Sequence, residues 1–450
     1  MQLVLPIVYF VRAKVPSMKT GIPTSKFQFN LEALRGFAAM LVLFTHCLAF
    51  STILNGAEQR RGLLTYAVPG HLAVLVFFIL SGYVIGLTVK NLTWQNTATY
   101  LKKRFLRLYP IYIVALLVSL GITYNNYSTL QVFANMTFLH RVIAEPIPEI
   151  GVNWSLNYEV LFYLLFIPVA IYKLKPAHVF SISLVLGLFF QFVVPVRLLA
   201  MYGYGFCFWV AGLWLARTNW TTPQPTSRLT LVGLLLLMLA FGALNPIYYF
   251  AHDKLHLDEY RGLVSPYNPI ALLLSDFAYL PLGLVMVTYF TNQRLRYGRL
   301  LLSFVLALPL LFLLHQSYSI FRHQAALTDA RYEPMQLAVG FYALSLVLVG
   351  LGWLRPKLAT RQLPQVMVAT GAISYSLYLV HYLIVVLLGR VAFFFGTTTS
   401  FAVRLLLVIV LTIVASLVLE KVWQPFALRQ LRKLKLFQDP VAPTRQPLAA

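Results

Sequence analysis

Apolar stretches about the length of a membrane-crossing helix follow one another from residue 31 to residue 423, separated by short polar links rich in arginine and lysine. About 20 residues at 1.5 Å each carry a helix across the hydrocarbon core of a bilayer. Runs near 31–51, 67–89, 105–124, 153–172, 177–196 and 198–216 predict six spans, and runs near 229–247, 269–291, 300–320, 335–354, 366–389 and 402–423 predict six more. The stretch Thr129 to His140 reads as a re-entrant or interfacial helix. The pattern therefore predicts an all-α, polytopic transmembrane helical bundle of about 10 to 12 spans, and an even number puts both termini on one side. The first eleven residues are also apolar, but Arg12, Lys14 and Lys19 follow that run instead of preceding it. That order is wrong for a secretory signal, and the run is too short to span, so an interfacial segment is expected. The organisation that results is an N-terminal cytoplasmic or interfacial segment (1–30), a membrane-embedded domain (31–426) and a basic cytoplasmic tail (427–450).

Composition removes the soluble alternatives. Hydrophobic residues make up 59% of the chain and charged residues 11%, where soluble domains carry about 25% charged. The formal charge of +23 could point to nucleic acid, but the basic residues lie in short clusters between apolar runs and not on one polar surface, so no nucleic-acid partner is expected. Membrane topology accounts for them. If the termini are cytoplasmic, 26 of the 36 basic residues fall inside, in loops that include Lys90, Lys102 to Arg107, Lys173, Arg217, Arg228, Arg294 and Arg299. This is the asymmetry of the positive-inside rule. Cys47 and Cys207, the two cysteines, both sit inside apolar runs, which argues against a disulfide framework or a cysteine metal site, and no metal is expected.

Candidate chemistry lies in a few buried polar positions. In LEALRGFAAMLVLFTHCLAF, Arg35 and His46 are eleven residues apart, so they share a helical face about 16 Å apart along the axis. An ionisable group held within a bilayer is costly and usually faces an interior cavity, which makes His46 a catalytic candidate; a neutral histidine bonded between helices is the ordinary alternative. Arg104 and Arg107 in KKRFLRLYP form a cationic fork suited to phosphate, or else ordinary membrane anchoring. Glu159 in NWSLNYEVLFYLLF reaches a depth comparable with His46 and is expected to orient its imidazole, the alternative being a structural bond to Trp154 or a tyrosine. Ser155 belongs to the same stretch. Ser81, Gly82 and Gly86 in FFILSGYVIGL read as helix-packing positions in preference to ligand contacts. Tyr378 and His381, three residues apart on one face in GAISYSLYLVHYLIV, are expected in the core or along a substrate path, and Asp276 in LLLSDFAYL is a buried acid with no partner identifiable from the sequence.

In their order, LRGFAAMLVLFTH, FFILSGYVIG, RFLRLYP, NWSLNYEVLFY, FCFWVAGLWLA, GAISYSLYLVH and LEKVWQPF resemble the acyltransferase-3 family of integral membrane proteins, which modify sugars of bacterial surface polysaccharides, usually by O-acetylation. The resemblance spans residues 31 to 426. It implies acyl-CoA, acetyl-CoA foremost, as donor substrate, recognised from the cytoplasm by Arg104 and Arg107, with Arg35 and His46 in the essential first-helix motif and Glu159 as the glutamate of the WSLxxE element. It further implies a glycan acceptor, surrounding membrane lipids and a place in the bacterial inner membrane. The chain departs from the family in having Val380 where a tryptophan often precedes the histidine, and two spans beyond the common ten. From the residues alone, a transporter or flippase using His46, Glu159 and Asp276 as a proton or substrate path is the competing class.

Overall fold

The computed structural model describes residues 25–49, 66–123, 127–218, 225–259, 272–323, 333–354, 363–391 and 397–434. The expected interfacial stretch through residue 24, the tail beyond residue 434, and the loop cations Arg60, Arg61, Arg261, Arg331, Arg355, Lys357 and Arg361 lie outside the described residues. The regular elements among the described residues are helices: α1 Ser25–Ala49, α2 Gly70–Thr88, α3 Thr97–Thr123, α4 Thr129–Met136, α5 Trp154–Ile171, α6 Pro176–Phe192, α7 Arg197–Arg217, α8 Arg228–Phe241, α9 Leu280–Phe290, α10 Gly298–His323, α11 Glu333–Leu354, α12 Gln365–Ala372, α13 Ser374–Gly389, α14 Thr398–Val418 and α15 Gln424–Leu431.

Nine helices among these are long and apolar enough to cross a membrane, and ten if α12 and α13, bent by 75° at their junction, form one broken span. All twelve predicted runs contain helix, but three are not straight crossings: the bent α12–α13 pair and two that are too short. α6 has 17 residues, and Pro195 stands just beyond its end, where proline cannot continue a helix. Leu274–Phe290 opens as a six-residue 3₁₀ turn, Leu274–Tyr279, before Pro281 starts α9. The stretch expected to be re-entrant or interfacial is the eight-residue α4, with a turn after it.

Small residues bring the central helices together. A Cβ on Gly82 of α2 would stand 1.9 Å from the Trp209 carbonyl oxygen, and one on Gly212 of α7 would stand 1.9 Å from that of Ile79. The α2 and α7 backbones therefore touch at reciprocal glycines, the close approach that small residues permit in a bilayer, where lipid offers no hydrophobic drive to pack helices. Contacts ascend together along both helices, Gly82 with Trp209 and Gly86 with Ala216, so they run parallel. α1 is antiparallel to α2, because Gly70 at the start of α2 meets Thr45 near the end of α1. The C-termini of α2, α5 and α7 and the N-termini of α1, α3 and α8 accordingly share one end of the bundle, where an Arg217 guanidinium donates to the Leu174 carbonyl at 3.3 Å. This end gathers Lys90, Lys103, Lys173, Arg217 and Arg228 and is called the basic face below.

Candidate active site

The break between α12 and α13 shapes the site. Gly371 lies against α1 so closely that a Cβ there would stand 2.0 Å from the Glu32 carbonyl oxygen. The chain then turns at Ile373, whose φ of −115° interrupts the helix. α1 is thereby pinned beside the bend, and Arg35, Ser374, Tyr375 and Tyr378 face a common cavity with Ser81 of α2, Arg104 and Arg107 of α3, and Ser155, Glu159 and Tyr163 of α5. It holds about 810 Å³ of empty space, part of it open to solvent.

Three guanidiniums face this cavity, and their partners are specific. Arg35 pairs with Glu32 at 3.1 Å. Arg104 lies over the rings of Tyr100 and Tyr163, at 5.6 and 5.7 Å from their centroids, and its buried Nε has no acceptor among the described residues. Arg107 lies in electrostatic reach of Tyr163, Glu159, Glu32 and Glu420. Glu159 accepts hydrogen bonds from Ser81 Oγ at 3.1 Å and from the Tyr163 hydroxyl; Trp209 Nε1 donates in turn to Ser81 Oγ at 3.3 Å. Ser81 thus turns into the cavity, while its neighbour Gly82 packs on α7. The last span packs beside α3: a π-helical turn, Leu419–Trp423, presents Trp423 Nε1 to the Pro110 carbonyl at 2.6 Å and carries Glu420 toward Arg107.

Toward the opposite end the cavity reaches Val74, Phe77 and Tyr378. Tyr378 is fixed there, its hydroxyl donating to the Val152 carbonyl at 2.7 Å and lying 2.8 Å from Ser155 Oγ. Neither His46 nor His381 lines the cavity; the His381 ring lies behind Tyr378, with 6.1 Å between centroids.

The two histidines meet. His46 Nδ1 is 2.8 Å from the Val42 carbonyl and 3.1 Å from His381 Nε2, and His381 Nδ1 is 3.0 Å from the Leu377 carbonyl. Proton placement follows from the acceptors, since a carbonyl only accepts. His381 carries its proton on Nδ1, so its Nε2 accepts; His46 carries its own on Nδ1, shared between Val42 and His381, and its lone pair sits on Nε2. Tyr382 abuts His46 edge-on, with 5.2 Å between ring centroids. His381 therefore occupies the orienting position expected of Glu159, whose carboxylate serves Ser81 and Tyr163 at the cationic end of the cavity. The i to i+4 pattern carries no trace of this pairing, because the histidines are 335 residues apart.

Asp276, which has no partner legible in the sequence, pairs with His71 Nε2 at 2.9 Å and accepts the Leu273 amide at 2.8 Å. Trp154 stacks on His71, with ring centroids 6.3 Å apart. His71 escapes sequence reasoning, since only its place at the start of an apolar run after Pro69-Gly70 marks it. Among the described residues no group of three His, Cys, Asp or Glu is placed to hold a metal ion.

The sequence has relatives. The acyltransferase-3 family model, described as an acyltransferase domain, matches residues 28–275 and 259–421. The acyltransferase MdmB of Streptomyces mycarofaciens is 29% identical over 148 residues, 30% of this chain and 38% of that protein. Protein 2 in the picA locus of Rhizobium radiobacter is 36% identical over 89 residues, 19% of this chain and 40% of that protein. A protein of the Acidianus two-tailed virus, ORF330, provisionally named an acetyltransferase, is 27% identical over 231 residues, 46% of this chain and 65% of its own. The matches thus span 38 to 65% of the length of these curated relatives. No solved structure matches. With the family model running from the first described span into the last, the chain belongs to the acyltransferase-3 family of membrane acyltransferases.

Proposed function

We propose that this enzyme moves an acyl group, acetyl foremost, from cytoplasmic acyl-CoA to a hydroxyl of a cell-surface or exported glycan, and that it does so in a bacterial inner membrane with its basic face in the cytoplasm. The observation that carries the reading is the cavity itself: three arginines in its wall and a histidine pair one aromatic layer beyond Tyr378 at its other end. Guanidiniums form the strong, geometrically matched hydrogen bonds that phosphates accept, and the buried Arg104 Nε lacks an acceptor among the described residues. The donor's phosphates dock on Arg104 and Arg107 with Arg35 beside them, and its thioester arm runs up the cavity to Tyr378. Glu159, held by Ser81 and Tyr163, offsets part of the three positive charges and fixes the arginine fork.

The acceptor hydroxyl arrives from the opposite face, where His46 is half-buried. Because His46 does not line the cavity, transfer requires the Tyr378 side chain to rotate, releasing its bonds to Val152 and Ser155. His46 Nε2 takes the hydroxyl proton as the oxygen attacks the thioester carbonyl. Collapse of the tetrahedral adduct breaks the carbon–sulfur bond, and the imidazolium returns its proton to the departing CoA thiolate, leaving an ester and free CoA. His381 Nε2 steadies the Nδ1–H of His46 throughout, setting the tautomer that leaves Nε2 basic. Deleting the gene and weighing the surface glycans by mass spectrometry tests the reading: a missing ester of defined mass supports it, and an unchanged glycan contradicts it.

A further inference from the structure

A second polar cavity, remote from the arginine and histidine site, opens on the basic face between α8, α10 and α11. Its walls include Thr226, Ser227, Arg294, Arg299, Ser303 and Trp353. Arg294 is held rigidly: one guanidinium nitrogen donates to Thr226 Oγ1 at 3.0 Å, another to the Gln293 carbonyl at 3.2 Å, and the group lies 4.1 Å above the Tyr289 ring centroid. The connection between α9 and α10 is shaped for this. Asn292 adopts a φ of +56°, which asparagine tolerates better than most residues, and its Oδ1 accepts the Thr226 amide at 2.9 Å. Thr226 Oγ1 donates to the Tyr289 carbonyl at 2.9 Å. Arg299, one helical step into α10, adds a second cation, and no carboxylate is among the described lining residues. Burial lowers the Arg294 pKa, and the Arg299 charge adds to that lowering.

Three independent features mark this as a place for an anion. Two guanidiniums share one cavity with no acid in its described wall. α8, of fourteen residues, begins there, and its N-cap residue Ser227 makes no side-chain capping bond. Helix N-termini leave amide donors that favour negative charge. Ser227 is 5% exposed, and its buried Oγ lines the cavity without a hydrogen-bond partner among the described residues. The rim identifies the source of the anion. Leu300 is 69% exposed, Trp353 50% and Leu354 79%, an apolar surface on α10 and α11 that suits hydrocarbon at the very edge of the cationic pocket.

We infer that this cavity binds the phosphodiester headgroup of an anionic phospholipid, with Arg294, Arg299 and Ser227 on the phosphate and the acyl chains along Leu300 and Trp353. Basic pockets between helices at a cytoplasmic face take such headgroups. The site is separate from the acyl-transfer cavity, and the inference does not rest on the transfer mechanism.

The test is native mass spectrometry of the full chain in detergent, titrated with phosphatidylglycerol and, separately, with phosphatidylcholine of the same acyl chains. One phosphatidylglycerol should bind ahead of all others and ahead of phosphatidylcholine. Arg299→Gln, at an exposed position that the fold does not need, should weaken that first binding about fivefold, the effect of one basic residue near a lipid surface. Lys175→Gln, an equal charge change at another exposed loop of the same face, should leave it within twofold. Equal binding of the two lipids, an unchanged Arg299→Gln, or an equal loss in Lys175→Gln would each overturn the inference. So would inorganic phosphate or glycerol 1-phosphate binding as tightly as the lipid, since the site would then serve a free phosphate.

Discussion

Replacing Arg104 by glutamine removes the group on which the proposed donor docking depends most, and its cost can be worked from the structure. The guanidinium is half-buried between Tyr100 and Tyr163, and its Nε has no acceptor among the described residues, so shortening the side chain gives up two cation–π contacts but no protein hydrogen bond from Nε. The loss falls on the ligand. A hydrogen bond to a charged group contributes about 1.5–3 kcal/mol; for a partly solvated pair about 2–3 kcal/mol is expected, equivalent to roughly 30- to 150-fold in Kd at about 1.4 kcal/mol per decade. Arg104→Lys keeps the charge but not the planar fork and should lie between, at about tenfold. The assay is equilibrium binding of radiolabelled CoA to the purified chain in lipid nanodiscs, which needs no acceptor. Dephospho-CoA and pantetheine serve as ligands that lack successive phosphates, and the Arg104→Gln penalty should shrink as phosphates are removed. A change of less than about threefold for intact CoA, or a penalty equally large for pantetheine, would refute the docking.

His381→Asn, which removes the Nε2 acceptor beside His46, should lower kcat about ten- to hundredfold while CoA binding stays within twofold; an unchanged kcat would show that His46 is oriented by something else. Gly82→Val should abolish the α2–α7 contact, since even a Cβ would stand 1.9 Å from the Trp209 carbonyl oxygen, and fluorescence-detected size-exclusion chromatography should show little monodisperse protein; a normal peak would contradict the packing. His140, outside the spans, is held to a pKa of about 3 by burial and then by the Arg141 charge. Its neutral form contributes stability that is full above the unfolded value of about 6.5 and declines from there as pH falls toward 3. Between pH 6.5 and 5 that amounts to about 2 kcal/mol, and thermal unfolding across this range should be flatter for His140→Gln than for the natural chain.

Much of the architecture is legible in the residues because each signal is local. Span-length apolar runs need only their own composition, and the Arg104–Arg107 fork needs only helical spacing to bring both side chains to the same cavity as Arg35, one span away. Depth reasoning puts Glu159 on a span but cannot choose its partner, since Ser81 and Tyr163 compete with His46 and the choice depends on how α2 and α5 rotate about their axes. The pairings of His46 with His381 and of His71 with Asp276 join residues 335 and 205 positions apart. No periodicity encodes them: the first arises where Gly371 and the bend at Ile373 set α13 against α1, the second where the Leu274–Tyr279 turn meets the start of α2. The span count differs for a similar reason. Hydropathy registers α6 and Leu274–Phe290 as full runs, while Pro195 and Pro281 shorten the helices they can form.

The central claim is that the acyl group passes from the arginine cavity to an acceptor activated by His46. The most direct measurement pairs two readouts on His46→Gln: radiolabelled CoA binding by the purified chain, and the ester content of surface glycans, by mass spectrometry, from cells carrying only this variant. The account predicts CoA binding within twofold of the natural chain and ester content reduced at least about a hundredfold, the span of general-base catalysis. A glycan esterified to its full natural extent by His46→Gln would contradict it.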